Sequence, residues 1–192
     1  MADTGLIRPQ SQTGFDSNGP NAINDTVVAD DPDAASMIMF GGVTDTAIVS
    51  DFTGTDLPAG STVNGVEITL KAGWAFNQCT TTTKVGKGGA GGSFGSTTVS
   101  QDLATSAGTS TTIYTQGSDS QNWGVDWSGF TDLSDLAVQI TATVTTGTST
   151  TIAGIFAVRA KIYYTPGVVI PDKKVTMKNG VITLKGGTVT IK

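Results

Sequence analysis

The chain has 192 residues, of which 38% are hydrophobic and 14% charged, with 25 glycines, one cysteine, no histidine and a net charge of −5. No intrachain disulfide can form, and without histidine no Ser-His-Asp triad, Cys-His dyad or histidine-based metal site can be built. The length holds one domain with a substantial core and some excess for arms, and no apolar run approaches membrane-spanning length.

Thr, Ser and Gly stand where helix formers would be, and only Glu67 among the sixteen acidic residues is a glutamate. Thr favours strands, while Gly and Asp favour turns, so the predicted class is all-β. Residues 1–14 are polar with scattered Gly and Pro and read as an extended N-terminal arm; they show neither a basic n-region nor an apolar h-region, so no signal peptide is expected. Phe15 to Asp33 is loop-like and ends in Asp30-Asp31-Pro32-Asp33. Those carboxylates suit turn geometry, with calcium ligation as the alternative, although the spacing does not match an EF-hand loop. A short apolar strand over Met37–Phe40 follows, and Thr44 to Phe52 carries the next.

The run from Leu57 to Trp74 is the strongest local signal. A Pro58/Gly60 turn opens it, and the strand that follows places Val66, Ile68 and Leu70 on one face with Glu67, Thr69 and Lys71 on the other. That alternation marks a half-buried strand of a sandwich, extending from Val63 to Phe76. Thr80–Val85 is its expected hairpin partner, and Cys79 before it is expected to be an unreactive, partly buried thiol. Lys87–Gly95 (KGGAGGSFG) reads as a flexible surface loop; it lacks the GK[ST] ending of a phosphate-binding loop, and no helix follows it. Further strands are expected at Thr97–Val99, Thr111–Thr115, Leu136–Val144 and Ile152–Thr165, with one helical turn in TDLSDL. Strands joined by long connections suit a jelly roll.

After Pro171 the pattern becomes simpler. Asn179-Gly180 and Gly186-Gly187 are preferred two-residue hairpin turns, so residues 167–192 read as a three-stranded β-meander. Seven apolar side chains on about twenty residues bury too little surface to offset the cost of ordering that backbone. Val175, Met177, Val181, Ile182, Leu184, Val189 and Ile191 are therefore expected to pack on other copies of the chain, most simply as a homotrimer, or to anchor it. From Asp172 onward the net charge is +4, and before it −9. An acidic body repels phosphates, so nucleic acid is not expected as a partner, and the basic tail suits an acidic protein surface.

The Leu57–Trp74 run, the WGxxW element Trp123–Trp127 and the closing IFAVRAKIYYTP strand together resemble a β-sandwich module of structural proteins in tailed bacteriophages and prophages. The resemblance spans roughly Phe15 to Pro166. It implies a jelly-roll-like antiparallel β-sandwich over residues 15–166, flanked by the arm (1–14) and the meander (167–192). The implied setting is a virion assembled in the bacterial cytoplasm, with no enzymatic activity, cofactor, metal or membrane. The expected role is a capsid decoration (cement) protein that stabilises the head as a trimer on the major capsid protein or other virion proteins. The alternative is a tail-fibre or head-fibre adhesin binding host-surface glycans; a third reading is a carbohydrate-binding module detached from an enzyme. Trp74, Trp123 and Trp127 are the candidate glycan contacts, against the plainer expectation that Trp123, Trp127 and the Tyr163-Tyr164 pair serve the core or a subunit interface.

Overall fold

The computed structural model describes residues 1–14, 36–40, 44–73, 79–103, 111–144, 150–167, 177–178 and 181–182, and the account below concerns these. Two antiparallel sheets face each other, and a separate hairpin lies toward the C-terminus. The strands are β1 (Ala2–Asp3), β2 (Ser11–Gly14), β3 (Ser36–Phe40), β4 (Thr44–Ser50), β5 (Thr62–Gly73), β6 (Cys79–Lys87), β7 (Ser93–Phe94), β8 (Val99–Leu103), β9 (Thr111–Gly117), β10 (Leu136–Val144), β11 (Thr150–Thr165), β12 (Met177–Lys178) and β13 (Val181–Ile182). One sheet runs β1-β11-β5-β9, with β3 also on β11; the other runs β2-β4-β10-β6-β7, with β8 also on β6. The all-β antiparallel sandwich expected from composition is what forms.

Period-two alternation builds the core between the sheets. Val66, Ile68, Leu70 and Ala72 of β5 and Val158, Ala160 and Ile162 of β11 are fully buried or nearly so. Ala47 and Val49 of β4, Leu136, Val138, Ile140 and Ala142 of β10, and Cys79, Thr81, Thr83 and Val85 of β6 are buried with them. The opposite face of the β4/β10 pair is polar: Thr44 pairs with Thr143 and Thr46 with Thr141 through hydroxyl hydrogen bonds of 3.1 and 2.9 Å.

The first correction concerns residues 1–14, which are not a separate arm. Ala2–Asp3 pairs with Tyr163–Tyr164, and Ile7 exchanges both backbone hydrogen bonds with Ala160 (2.8 and 3.0 Å). The chain then crosses to the other sheet. Thr53 N–H donates to the Arg8 carbonyl at 2.9 Å, and Ser11–Gly14 pairs with Ala47–Ser50. Ile7 is only 4% exposed, and Pro9 is buried. The segment thus covers the outer edges of β11 and β4, using backbone groups that a reading of side-chain polarity does not register.

A second correction concerns β6. It pairs with β10, β7 and β8, whereas β5 pairs with β11 and β9, so Thr80–Val85 is not the hairpin partner of β5. The connection crosses from one sheet to the other instead. The glycine-rich Lys87–Gly95 segment is a defined tight hairpin containing a 3₁₀ turn (Gly89–Gly91), with Gly88 and Gly89 at φ 95° and 64° and Ser93–Phe94 paired back onto Gly86–Lys87. The alternation of β5 also misleads on one point. Thr69 and Lys71, with their neighbours Ala157 and Arg159, are buried on the face assigned to solvent, so the chain covers both faces of this part of the sheet.

The short turn expected in TDLSDL is present as a 3₁₀ helix over Leu133–Asp135, capped by the Asp132 carboxylate accepting from Ser134 N–H at 2.8 Å. Toward the C-terminus, Met177 and Lys178 pair antiparallel with Ile182 and Val181, and Asn179-Gly180 lies outside the described residues. The remainder of the expected meander, Asp30, Asp31 and Asp33, and Trp74 lie outside the described residues.

Candidate functional site

The loop from Ser118 to Asp132 is built from side chains that cap their own backbone. Asn122 Oδ1 accepts from Gly124 N–H at 3.0 Å, and Asp126 Oδ1 accepts from Ser128 N–H at 3.0 Å while Asp126 Oδ2 takes the Ser128 hydroxyl at 2.9 Å. These are Asx turns, which the spacing Asn-x-Gly and Asp-x-Ser produces locally. Between Asn122 and Val125 the backbone closes a β-turn (Val125 N–H to Asn122 carbonyl, 3.1 Å) whose central residues, Trp123 and Gly124, both have positive φ, 59° and 69°.

The two tryptophans of this loop have different placements. Trp123 has no exposed surface, and its indole N–H donates to the Val66 carbonyl at 2.7 Å. With its ring enclosed in the core and its donor spent on β5, Trp123 presents no face to a sugar, which corrects its place among the glycan candidates. Trp127 is 8% exposed, donates to the Asn122 carbonyl at 2.9 Å and packs edge-on against Phe130, with ring centroids 5.1 Å apart and planes at 80°. Its remaining exposure opens into a cleft.

That cleft, of about 700 Å³, lies at one end of the sandwich. One wall is the start of β5, Ser61–Asn64; the other is Asp119, Ser120, Asn122 and Val125–Gly129; Met1 sits at its rim. Gly65 allows the walls to meet, because a Cβ there would lie 2.4 Å from the Ser118 carbonyl oxygen and 2.6 Å from Ser120 N. Asn64 Nδ2 donates to the Thr165 hydroxyl at 3.0 Å, which fixes the amide from the β11 side. The two Ser128 donors hold the Asp126 carboxyl below the usual carboxylate range, the backbone N–H more than the hydroxyl. The Ser61 hydroxyl is buried and has no hydrogen-bond partner among the described residues.

Sequence reading singled out the tryptophans and overlooked the polar wall. Asn64 lies in β5 and Asp119, Asn122 and Asp126 in the loop after β9, and the close pass of Gly65 against Ser118–Ser120 brings them together. Cys79 is fully buried, and burial pushes its thiol up to about 11, against a smaller pull from the Thr143 backbone. Tyr164 packs against the core, while the Tyr163 hydroxyl donates to Glu67 at 3.2 Å. No group of three or more Cys, Asp or Glu side chains capable of holding a metal ion occurs among the described residues.

No protein-family model matches the sequence, and no curated protein matches it; the phage-module resemblance therefore has no family match behind it. Solved structures with a similar chain path include a CBM4 domain (11% identity, TM-score 0.37, covering 82% of this chain and 92% of that one). Another is the N-terminal cellulose-binding domain of β-1,4-glucanase C from Cellulomonas fimi (14% identity, TM-score 0.38, 88% and 96%). A third is the enzymatically active domain of tailspike protein 4 of bacteriophage CBA120 (13% identity, TM-score 0.36, 78% of this chain and 18% of that one). Likeness at this level assigns neither ligand nor activity.

Proposed function

We propose that this chain is a glycan-binding β-sandwich of a phage appendage, an adhesin whose saccharide site is the cleft between Ser61–Asn64 and Asp119–Gly129. The observation that carries the reading is the composition of that cleft: an indole bordering an open space of about 700 Å³ whose other walls supply amides, hydroxyls and carboxylates. Saccharides are recognised by this combination, an aromatic surface for the C–H face and fixed polar groups for the hydroxyls. Because Asx turns and the Asn64–Thr165 hydrogen bond already hold the walls, binding would spend little on ordering them. The phage setting is supported by the resemblance carried by the Pro58–Gly65 run, the WGxxW element and the closing strand.

The decoration reading gains less support. A decoration protein would reach the capsid lattice through a free N-terminal arm, and residues 1–14 are spent on pairing within the sandwich. The C-terminal meander is the element left to it.

The test is a saccharide panel probed with the full chain, followed by titration calorimetry on any ligand found. Asn64→Ala and Asp119→Ala are expected to weaken binding at least ten-fold with the circular dichroism spectrum unchanged. A chain that binds no saccharide, yet binds empty expanded capsids and raises their melting temperature, would replace this reading with decoration.

A further inference from the structure

We infer that the cleft selects non-anionic saccharides, neutral hexoses or amino sugars, and rejects those bearing carboxylate, phosphate or sulfate groups. The inference rests on the glycan reading above and adds a ligand class to it.

The charge of the walls is one-sided, while their neutral groups both donate and accept. Asp119 and Asp126 line the cleft and are acceptor-only when ionised. Asn64 spends one of its two amide N–H donors on Thr165 and keeps the other together with its carbonyl oxygen, and the Ser61 hydroxyl is unpartnered among the described residues. Ser128 has given its hydroxyl proton to Asp126. Asn122 is the reverse case, its carbonyl oxygen spent on Gly124 and its NH₂ left as a donor. The two ionised carboxylates are matched by a ligand that brings donors. Sugar hydroxyls and ammonium groups do so, whereas a carboxylate, phosphate or sulfate offers only lone pairs.

Charge acts in the same direction. No Lys or Arg side chain lines the cleft, and Met1 is the only lining residue that can carry a positive charge. The nearby Lys87 ammonium is directed to the Ser128 carbonyl oxygen at 3.2 Å. The Ser128 donors keep Asp126 ionised into mildly acidic solution. Anionic ligands also approach a chain of net charge −5 against its field.

The experiment presents the full chain with oligosaccharides of three kinds: neutral glucans and mannans, partially deacetylated chitin fragments, and acidic chains such as polygalacturonate and polysialic acid. Binding is expected for the first two kinds and not for the third, with Asn64→Ala weakening it at least ten-fold. In the double variant Asp119→Asn/Asp126→Asn, which keeps side chains able to form the Asx turn, acidic chains are expected to gain at least ten-fold in affinity while neutral ones lose. Acidic saccharides bound by the unaltered chain and lost on Asn64→Ala would overturn the selectivity while leaving the glycan site in place. Absence of binding to every saccharide, or binding indifferent to Asn64→Ala, would overturn the site and the selectivity with it.

Discussion

Trp123 sits at φ 59°, a left-handed conformation that costs a bulky L-residue about 1–3 kcal/mol. Two interactions offset this cost: complete burial of the largest side chain in the core, and the 2.7 Å hydrogen bond from its indole to the Val66 carbonyl. The two terms can be separated. Trp123→Phe keeps most of the apolar area but leaves the Val66 carbonyl without that donor, an expected loss of about 1–3 kcal/mol. Trp123→Ala removes both and is expected to cost about 3–5 kcal/mol. Urea unfolding followed by circular dichroism checks the ordering; a Trp123→Phe chain as stable as the wild type would show that the hydrogen bond contributes nothing.

Cys79 gives a prediction with a definite sign. Burial penalises the thiolate and pushes the folded-state value up to about 11, from the 9.0 of an ordinary exposed thiol. As pH rises from about 9 toward 11 the unfolded chain releases this proton while the folded chain retains it, so the native state loses stability across that window and not below it. Unfolding free energies of the wild type and Cys79→Ala, measured at intervals from pH 8 to 11, are expected to differ by a constant up to about 9. Above that the wild type should fall more steeply; parallel curves throughout would contradict it. The same burial predicts that a thiol reagent leaves the native protein unmodified and reacts only after denaturant is added.

At the scale of elements, strands whose side chains alternate were legible and those held by backbone alone were not. The predicted Leu136–Val144 strand coincides with β10, and the expected 152–165 strand differs from β11 only at its start, because each carries alternating apolar residues, in β11 on either side of a register shift between Ile155 and Ala157. Residues 1–14 contribute Ile7 and Pro9 to the interior, Thr4 Oγ1 accepts from Ile162 N–H and Asp3 lies 3.9 Å from the Lys161 ammonium, but most of the docking runs through N–H and C=O groups, which leave no periodic trace in the sequence. The site was hidden for a similar reason: Asn64 and Asp119 meet only because β5 and the chain after β9 pass at Gly65. The docked segment should have measurable worth. Ile7→Ala is expected to cost about 2–5 kcal/mol. Deleting residues 1–9 uncovers the β11 edge and is expected to promote association through it, seen as growth in light scattering during storage. A truncated chain as stable and as monodisperse as the intact one would show that the segment merely rests on the surface.

At the scale of the whole molecule, charge and topology bear on assembly. The N-terminal segment covers the edges of β11 and β4, and we propose that the residues after Gly167 make the contact between copies. Their five lysines oppose one aspartate, while the preceding 171 residues hold six basic and fifteen acidic side chains. Docking of one copy's tail on another's acidic body satisfies both the apolar side chains, Val175 through Ile191, and this charge asymmetry, and three copies are the simplest closed arrangement. Sedimentation equilibrium is then expected to give a trimer for the full chain and a monomer for a chain ended at Gly167. The trimer should weaken as salt rises from about 50 mM to about 500 mM, since screening shortens the reach of the exposed lysines. Trimerisation would also set three clefts on one particle, so an affinity too weak to hold a cell at one site becomes sufficient at three, provided the linked sites can engage together. A full chain that stays monomeric at every concentration and salt level would remove both the multivalency and the assembly role of the tail.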